Sequence, residues 1–203
     1  QSFIEPFEWR DSYGEFDRKL MLSGKFAWFP WHERMLMGPD PWEPEKMVKD
    51  THTAFFGIEE INGNPLTVAK WIELHPVTNQ LRFNFNKSPW HMGQPHTDMT
   101  TLEVRWYLLR TEIIPGSTGK FPDEQIKLLP VEYDVPSTIA ELTKDIFVFR
   151  KTSAFPNSSC WARCSEQTVK IGEIPGGYWS MVGGFGGYGL NLDAWYSVRS
   201  NSI

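Results

Sequence analysis

Three residues that could perform acid–base chemistry occupy alternate positions in the sequence. Trp71, Glu73 and His75 end a stretch, residues 66–75, in which apolar and polar residues mostly alternate. On a β-strand, positions i, i+2 and i+4 point to the same side of the sheet. We therefore predict general acid–base roles for His75 and Glu73. Trp71 would form a ligand-binding wall, and Arg82 on the next strand would stabilise an anion.

The same alternation recurs in a later stretch, residues 101–114. Glu103, Arg105 and Tyr107 share one side of the strand that this stretch predicts. A phenol can donate a proton and a guanidinium can stabilise an anion, so we predict catalytic roles for Tyr107 and Arg105. Glu103 is predicted to bind the ligand.

The loop between residues 87 and 100 carries further residues that could bind a ligand. We predict that Trp90 and His91 line the binding site, because an indole face suits a partly apolar molecule. His91, His96 and Asp98 are residue types that bind zinc or iron, but their spacing matches no recognised metal motif such as H-E-x-x-H. We therefore predict no metal site.

Two other features do not point to a cofactor. Residues 184–189 match G-x-G-x-x-G, but a dinucleotide site needs a helix directly afterwards, and no helical pattern follows. Glycines interleaved with aromatic residues are instead typical of bulges and close backbone approach in a curved sheet. Cys160 and Cys164 could pair on a helical turn but not along a strand, so their pairing stays open. We predict that the protein uses no cofactor.

The elements that must position these residues have mainly the patterns of strands. Turn signals at residues 62–65 and 76–79 separate three alternating stretches, which predicts an antiparallel meander. We predict about nine strands, some of them continuous through the glycines. The candidate stretches are residues 53–61, 66–75, 81–86, 101–114, 126–134, 146–150, 168–174, 178–182, 189–192 and 194–199. Short helices are predicted at residues 9–22, at residues 44–49 and for about two turns from residue 138.

Composition favours a single β-rich domain. Of the 203 residues 15% are aromatic, and the 16 glycines and 15 prolines favour strands joined by turns. We predict one mainly β domain over residues 1–203, either an antiparallel β-barrel or a two-layer sandwich with two or three short helices. The net charge of −5 argues against a nucleic-acid partner. No apolar run reaches the roughly 20 residues that would span a membrane.

Three functions fit these features. Because the chain has 10 tryptophans, the first is a β-barrel that binds a small aromatic or apolar organic molecule, with activity as a cofactor-independent lyase, isomerase or dehydratase. The second is a subunit of a structural assembly such as a capsid or coat, and the third is a carbohydrate-binding β-sandwich. A homo-oligomer is compatible with these functions. The start at Gln1 and the sequons at Asn86 and Asn157 fit a protein that is secreted or processed from a precursor.

Overall fold

The computed structural model describes residues 2–4, 6–13, 29–76, 81–84 and 90–195. Helix and strand contribute about equally, so the fold is mixed α/β. The strands are β1 (Ser2–Ile4), β2 (His52–Phe56), β3 (Glu60–Ile61), β4 (Asn64–Pro65), β5 (Trp106–Arg110), β6 (Trp161–Gln167), β7 (Trp179–Gly186) and β8 (Gly189–Trp195). The helices are α1 (Pro6–Tyr13), α2 (Glu33–Leu36), α3 (Val48–Thr51), α4 (Val68–Leu74), α5 (Pro95–Asp98), α6 (Pro122–Ile126) and α7 (Thr138–Thr152).

The first sheet has β2 at its centre. β1 pairs with β2 in parallel, and β5 pairs with it in the antiparallel sense, with His52 opposite Arg110. All five residues of β2 are buried, because the strand lies between two neighbours and packs against α7. β3 and β4 form a separate two-stranded hairpin. Its turn, Asn62 and Gly63, has positive φ at both positions, as two-residue hairpin turns require.

Strands β6, β7 and β8 form an antiparallel meander. The register shifts between Arg163 and Gln167 and again between Gly183 and Gly186. A Cβ atom on Gly183 would lie 2.3 Å from the carbonyl oxygen of Cys160, so β6 and β7 can approach this closely only where there is no side chain. The expectation that these glycines mark bulges and close backbone approach is therefore confirmed.

Helix α7 lies between the first sheet and the meander, and packs against β1, β2, β5, β6 and β7. It begins where the Ser137 side chain accepts a hydrogen bond from the backbone N–H of Ala140. It ends at Ser153, which adopts the left-handed conformation with φ 59°. Every residue from 138 to 148 is buried. Because an isolated helix of this length is marginal in water, its tertiary packing must supply most of its stability.

The prediction of a mainly β barrel or sandwich is wrong. The described strands form three small sheets, and none of them closes into a barrel. Two stretches predicted as strands are helical, because residues 68–74 form α4 and residues 146–150 lie inside α7. Residues 126–134 hold the end of α6 and turns rather than a strand.

Local interactions explain why residues 68–74 form a helix. The Thr67 hydroxyl accepts a hydrogen bond from the backbone N–H of Lys70 and so caps the first turn. Lys70 also pairs with Glu73 at 2.7 Å across one helical turn. Trp71 and His75, four residues apart, then share one buried face of the helix. In a strand, Lys70 would lie on the same side as the apolar residues Val68 and Ile72. A helix does not place these residues on one side, so it tolerates the lysine.

Antiparallel sheets are present as predicted, but the meander predicted between residues 53 and 86 is not, because residues 68–74 are helical. Aromatic residues form a large part of the core. Trp9, Trp71 and Phe147 pack together at the centre of the core, with ring centroids 4.5–6.2 Å apart. Each buried indole has a partner, since Trp9 Nε1 donates to the Phe56 carbonyl oxygen at 2.9 Å and Trp71 Nε1 to the Thr143 hydroxyl at 3.0 Å. Among the described residues, none of the helices has the length and apolar character needed to cross a membrane.

The close approach at Gly183 makes a stability prediction. We expect Gly183→Ala to lower the free energy of unfolding by more than about 2 kcal/mol, because the new methyl group forces β6 and β7 apart. Gly187→Ala is the matched control, because a Cβ atom there meets nothing within 4 Å and the change should stay within about 0.5 kcal/mol. Urea denaturation measures both, and equal effects would contradict the strand contact.

Candidate functional site

A cavity of about 710 Å³ opens between β5 and α7. Residues 100–105 before β5 and residues 129–137 complete much of its wall. The volume lies in the range of roughly 300–1,000 Å³ that is usual for small-molecule sites. The charged, amide and aromatic side chains that line it are Trp31, Trp42, Glu103, Arg105, Trp106, Tyr107, Arg110, Glu112, Glu132, Tyr133, Asp134, Glu141, Lys144 and Asn157.

A buried ion cluster on α7 forms the floor of the cavity. Lys144 Nζ donates to Glu141 Oε1 at 2.5 Å and to the carbonyl oxygen of Arg110 at 3.2 Å. It also lies 3.4 Å from Asp145 Oδ1. Asn157 Nδ2 donates to Glu141 Oε1 at 2.8 Å and to Asp145 Oδ2 at 3.1 Å. The ammonium group therefore has an acceptor for each of its three N–H bonds.

Helical spacing brings the ion cluster together. Glu141, Lys144 and Asp145 stand at positions i, i+3 and i+4 of α7 and so share one face. Burial by itself would lower the pKa of Lys144, but the two carboxylates reverse this and hold that pKa above its ordinary value. Burial raises the pKa of Asp145. Lys144 is therefore a fixed positive charge at neutral pH and not a nucleophilic amine.

The wall beside the floor is built around Arg110 in β5. The guanidinium pairs with Asp40 and Glu43, and it lies 5.1 Å from the ring centroid of Trp42. Asp40 also accepts the Thr51 hydroxyl at 2.6 Å and two backbone N–H groups at 2.9 Å each. Burial would raise the pKa of Asp40, but these hydrogen bonds hold it below its usual value. Arg110 is thus fully engaged by charged partners.

The rim of the cavity holds three of the residues that the sequence singled out. Arg105 Nε lies 3.0 Å from Glu103 Oε2, and its guanidinium lies 4.7 Å from the ring centroid of Tyr107. The Tyr107 hydroxyl accepts the backbone N–H of Glu103 at 2.9 Å. The structure therefore brings Glu103, Arg105 and Tyr107 together at one site.

Trp71 and His75 lie elsewhere, in the aromatic core. Trp71 is on α4 and His75 directly follows that helix, whereas both were predicted to lie on a strand. His75 Nδ1 lies 2.9 Å from the Trp71 carbonyl oxygen, which can only accept a hydrogen bond. Nδ1 therefore carries the proton, and Nε2 accepts the Tyr13 hydroxyl at 3.0 Å. Burial lowers the pKa of His75 and raises the pKa of Tyr13 to about 12, so both groups are neutral at pH 7.

The other four predicted site residues do not line the cavity. Glu73 is exposed on α4, where its carboxylate pairs with a lysine one turn away. Arg82 donates to a backbone carbonyl in the β7–β8 turn, and Trp90 donates to a backbone carbonyl of β8. His91 is buried, which lowers its pKa to about 4. The structure thus disperses the constellation that strand alternation predicted around His75.

Metal ligands and reactive thiols are not features of the described site. Within the described ranges, no group of three or more His, Cys, Asp or Glu side chains could hold a metal ion. Cys160 and Cys164 are both free, which answers the question of their pairing. Burial raises the pKa of Cys160 to about 11 and that of Cys164 well above its ordinary value. Both thiols are therefore protonated at neutral pH and are weak nucleophiles.

Sequence reasoning missed Glu141, Lys144, Asn157 and Arg110. The signal for the first two was present, because Glu141 and Lys144 stand three residues apart within a stretch of helix formers. Both residues fell inside the short helix that was predicted, but charged side chains are usually exposed, so a buried pair was not expected. No sequence signal places Asn157 or Arg110 beside them, because those contacts join separate elements.

Comparison with known proteins adds no assignment. No protein-family model matches the sequence, no curated protein matches it, and no solved structure matches the fold. The function must therefore be argued from the cavity itself.

The ion cluster makes a pH-dependent prediction. We expect Lys144→Met to lower the free energy of unfolding by about 3–5 kcal/mol at pH 8, because two buried carboxylates lose their counter-ion. The loss should shrink towards pH 5, because protonating Asp145 removes part of the uncompensated negative charge. Burial already raises the pKa of Asp145, so that protonation begins at a higher pH than for an ordinary aspartate.

Urea denaturation of wild type and variant at both pH values measures this effect. Lys151→Met is the control, because Lys151 lies exposed on the same helix in a surface ion pair with Glu8. Its loss should stay within about 1 kcal/mol. A pH-independent loss in Lys144→Met would contradict the charged floor.

Proposed function

We propose that the protein binds a small, partly apolar organic molecule in the cavity between β5 and α7. The observation that carries this proposal is a cavity of about 710 Å³ whose walls combine aromatic and charged side chains. Aromatic walls supply apolar contact area, and a few fixed polar groups orient the bound molecule. The volume is large enough for a molecule of the size of a typical metabolite or drug.

The wall geometry supports a preformed site. Trp106 packs edge-on against Phe56 at 5.5 Å, and Tyr133 packs edge-on against Trp42 at 4.8 Å. Tyr107 stacks on Phe55, with ring centroids 5.2 Å apart and an angle of 6° between the planes. Because these rings are held from behind, a ligand would not have to order them, and binding would cost less entropy.

We propose binding rather than catalysis as the primary function, because the candidate nucleophiles at the cavity are not reactive. Lys144 lies in the cavity, but its ammonium group is saturated by its acceptors, and the thiol of Cys160 is held in its protonated form. Should the bound molecule also be transformed, Tyr107 is the proton donor and Arg105 the anion stabiliser that we propose, because they lie side by side at the rim. Lyase, isomerase or dehydratase chemistry would use these two groups without a cofactor.

A cavity-filling variant tests the proposal. Ser165 lines the cavity and is exposed, and its backbone N–H donates to the Pro136 carbonyl oxygen. We expect wild type to bind the neutral dye Nile red with one site, and Ser165→Trp to weaken binding at least tenfold, or about 1.4 kcal/mol. Dye fluorescence titration measures both affinities.

Ser159→Trp is the matched control, because Ser159 is exposed in the turn before β6 and does not line the cavity. Its affinity for the dye should equal that of wild type. The proposal fails where wild type binds no dye, or where Ser165→Trp binds it as well as wild type does.

A further inference from the structure

We infer that the molecule bound in the cavity is an organic cation with an apolar extension, an inference that rests on the proposed function. A second hollow, of about 500 Å³, adjoins the cavity, and both are lined by Leu129, Tyr133, Asp134, Val135 and Ser165. We call this second hollow the apolar groove. A ligand with one charged end and one apolar end would fill the two spaces together.

The first argument is the sign of the charge around the cavity. Eight carboxyl groups line it or pair with residues that do, against four cationic side chains; with Asp145 left out, because burial raises its pKa, three negative charges are in excess. The whole chain carries a net charge of −5, so the cavity holds most of that surplus. Low-dielectric walls focus such a field on a bound ion. The carboxylates are Asp40, Glu43, Glu103, Glu112, Glu132, Asp134, Glu141 and Asp145, and the cations are Lys46, Arg105, Arg110 and Lys144.

The second argument is that the cations of the cavity are already neutralised. Lys144 is saturated by its three acceptors, and Arg110 is paired with two carboxylates. Arg105 pairs with Glu103 at 3.0 Å on the exposed rim. An anion bound at Lys144 or Arg110 would have to break one of their ion pairs, which leaves a buried or half-buried carboxylate without its counter-ion.

The third argument concerns the carboxylates that remain. Glu132 and Asp134 flank Tyr133 at the mouth and make no hydrogen bond or ion pair with any described residue. Both are exposed, whereas the Tyr133 side chain between them is half-buried. Two carboxylates beside an aromatic ring form a favourable environment for an ammonium group.

The aromatic walls already bind cations within the protein itself. Arg110 lies over Trp42 and Arg105 lies over Tyr107, with 5.1 Å and 4.7 Å between the guanidinium carbon and the ring centroid. Tyr133 lies next to Trp42 at 4.8 Å between ring centroids. The same type of contact is thus open to the cationic end of a ligand at the mouth.

The apolar groove accounts for the other end of the ligand. Its lining is mainly apolar and comes from α6, from the loop that follows α6 and from β7: Ile126, Leu129, Pro130, Val131, Val135 and Trp179. Val131 is 95% exposed, which is unusual for an isopropyl group without a partner. A short alkyl chain or a ring laid along the groove would cover this surface and remove apolar area from water.

Three probes with the same chain and different charge test the inference. They are octyltrimethylammonium, 1-octanol and octyl sulfate, each titrated into the full chain at low salt and followed by intrinsic tryptophan fluorescence and calorimetry. We expect the cation to bind at least tenfold more tightly than the sulfate, with octanol between them. Added NaCl should reduce the difference, because the charges at the mouth are exposed to screening.

A pair of double variants assigns the effect to the mouth. Glu132→Gln with Asp134→Asn should weaken the cation at least fivefold and leave octanol unchanged. Glu59→Gln with Glu60→Gln is the control, because it alters net charge by the same amount at exposed positions beside the β3–β4 hairpin. A cation affinity that both double variants change equally overturns the inference.

The remaining outcomes separate this inference from the proposed function. Equal binding of all three probes, or tighter binding of the sulfate, overturns the inference that the ligand is a cation. The proposed binding cavity would still be supported if wild type binds Nile red and Ser165→Trp does not. Failure of all three probes together with a Nile red site also overturns the inference. Failure of every probe and of the dye overturns both proposals.

Discussion

An ammonium group buried between two carboxylates fixes helix α7, and the rest of the structure is arranged around that helix. Lys144 reaches the first sheet through the carbonyl oxygen of Arg110, while Glu141 and Asp145 hold Asn157 in the segment that leads to β6. Buried charges are tolerated only while their partners stay in place. A shift of α7 by one residue would leave these groups unpaired in the interior. We therefore regard the ion cluster as the contact that sets the register between the helix and both of its neighbouring sheets.

Aromatic packing connects the cavity to this fixed centre. Tyr107 on the cavity wall stacks on Phe55, Phe55 lies 6.0 Å from Phe147 of α7, and Phe147 lies 6.2 Å from Trp71. His75 stacks on Trp71 at 5.5 Å and completes the series. Close-packed rings leave little room for rearrangement. The neutral His75–Tyr13 pair thus contributes to a rigid core behind the cavity, a role that differs from the acid–base chemistry that its residue types suggested.

The sequence predicted that antiparallel sheets occur and that glycines mark bulges, because these features depend on residue type and on neighbours along the chain. It misplaced residues 66–75 because apolar residues at this spacing satisfy a helical period as well as a strand period, and the helix is favoured by the Thr67 cap and the Lys70–Glu73 pair. It misplaced residues 146–150 because a short apolar run in a fully buried helix is indistinguishable from a buried strand. Lys144 was missed for a different reason. Lysine is almost never fully buried, and Asn157, which donates to the same two carboxylates as Lys144, lies beyond the end of the helix.

The way in which the charges are satisfied determines how such a cavity can select a ligand. Lys144 and Arg110 spend their donors on the protein, so they contribute electrostatic potential to the cavity but few free hydrogen bonds. Selection by potential depends on the sign of a ligand's charge far more than on its detailed shape, and it weakens with salt. Selection by the apolar groove depends on the apolar area that the ligand buries, and this contribution does not depend on the sign of the ligand's charge. Because the carboxylates at the mouth, Glu132 and Asp134, and the apolar side chains of the groove lie outside the ion cluster, either contribution could be altered by substitution while the ion cluster that holds the fold stays intact.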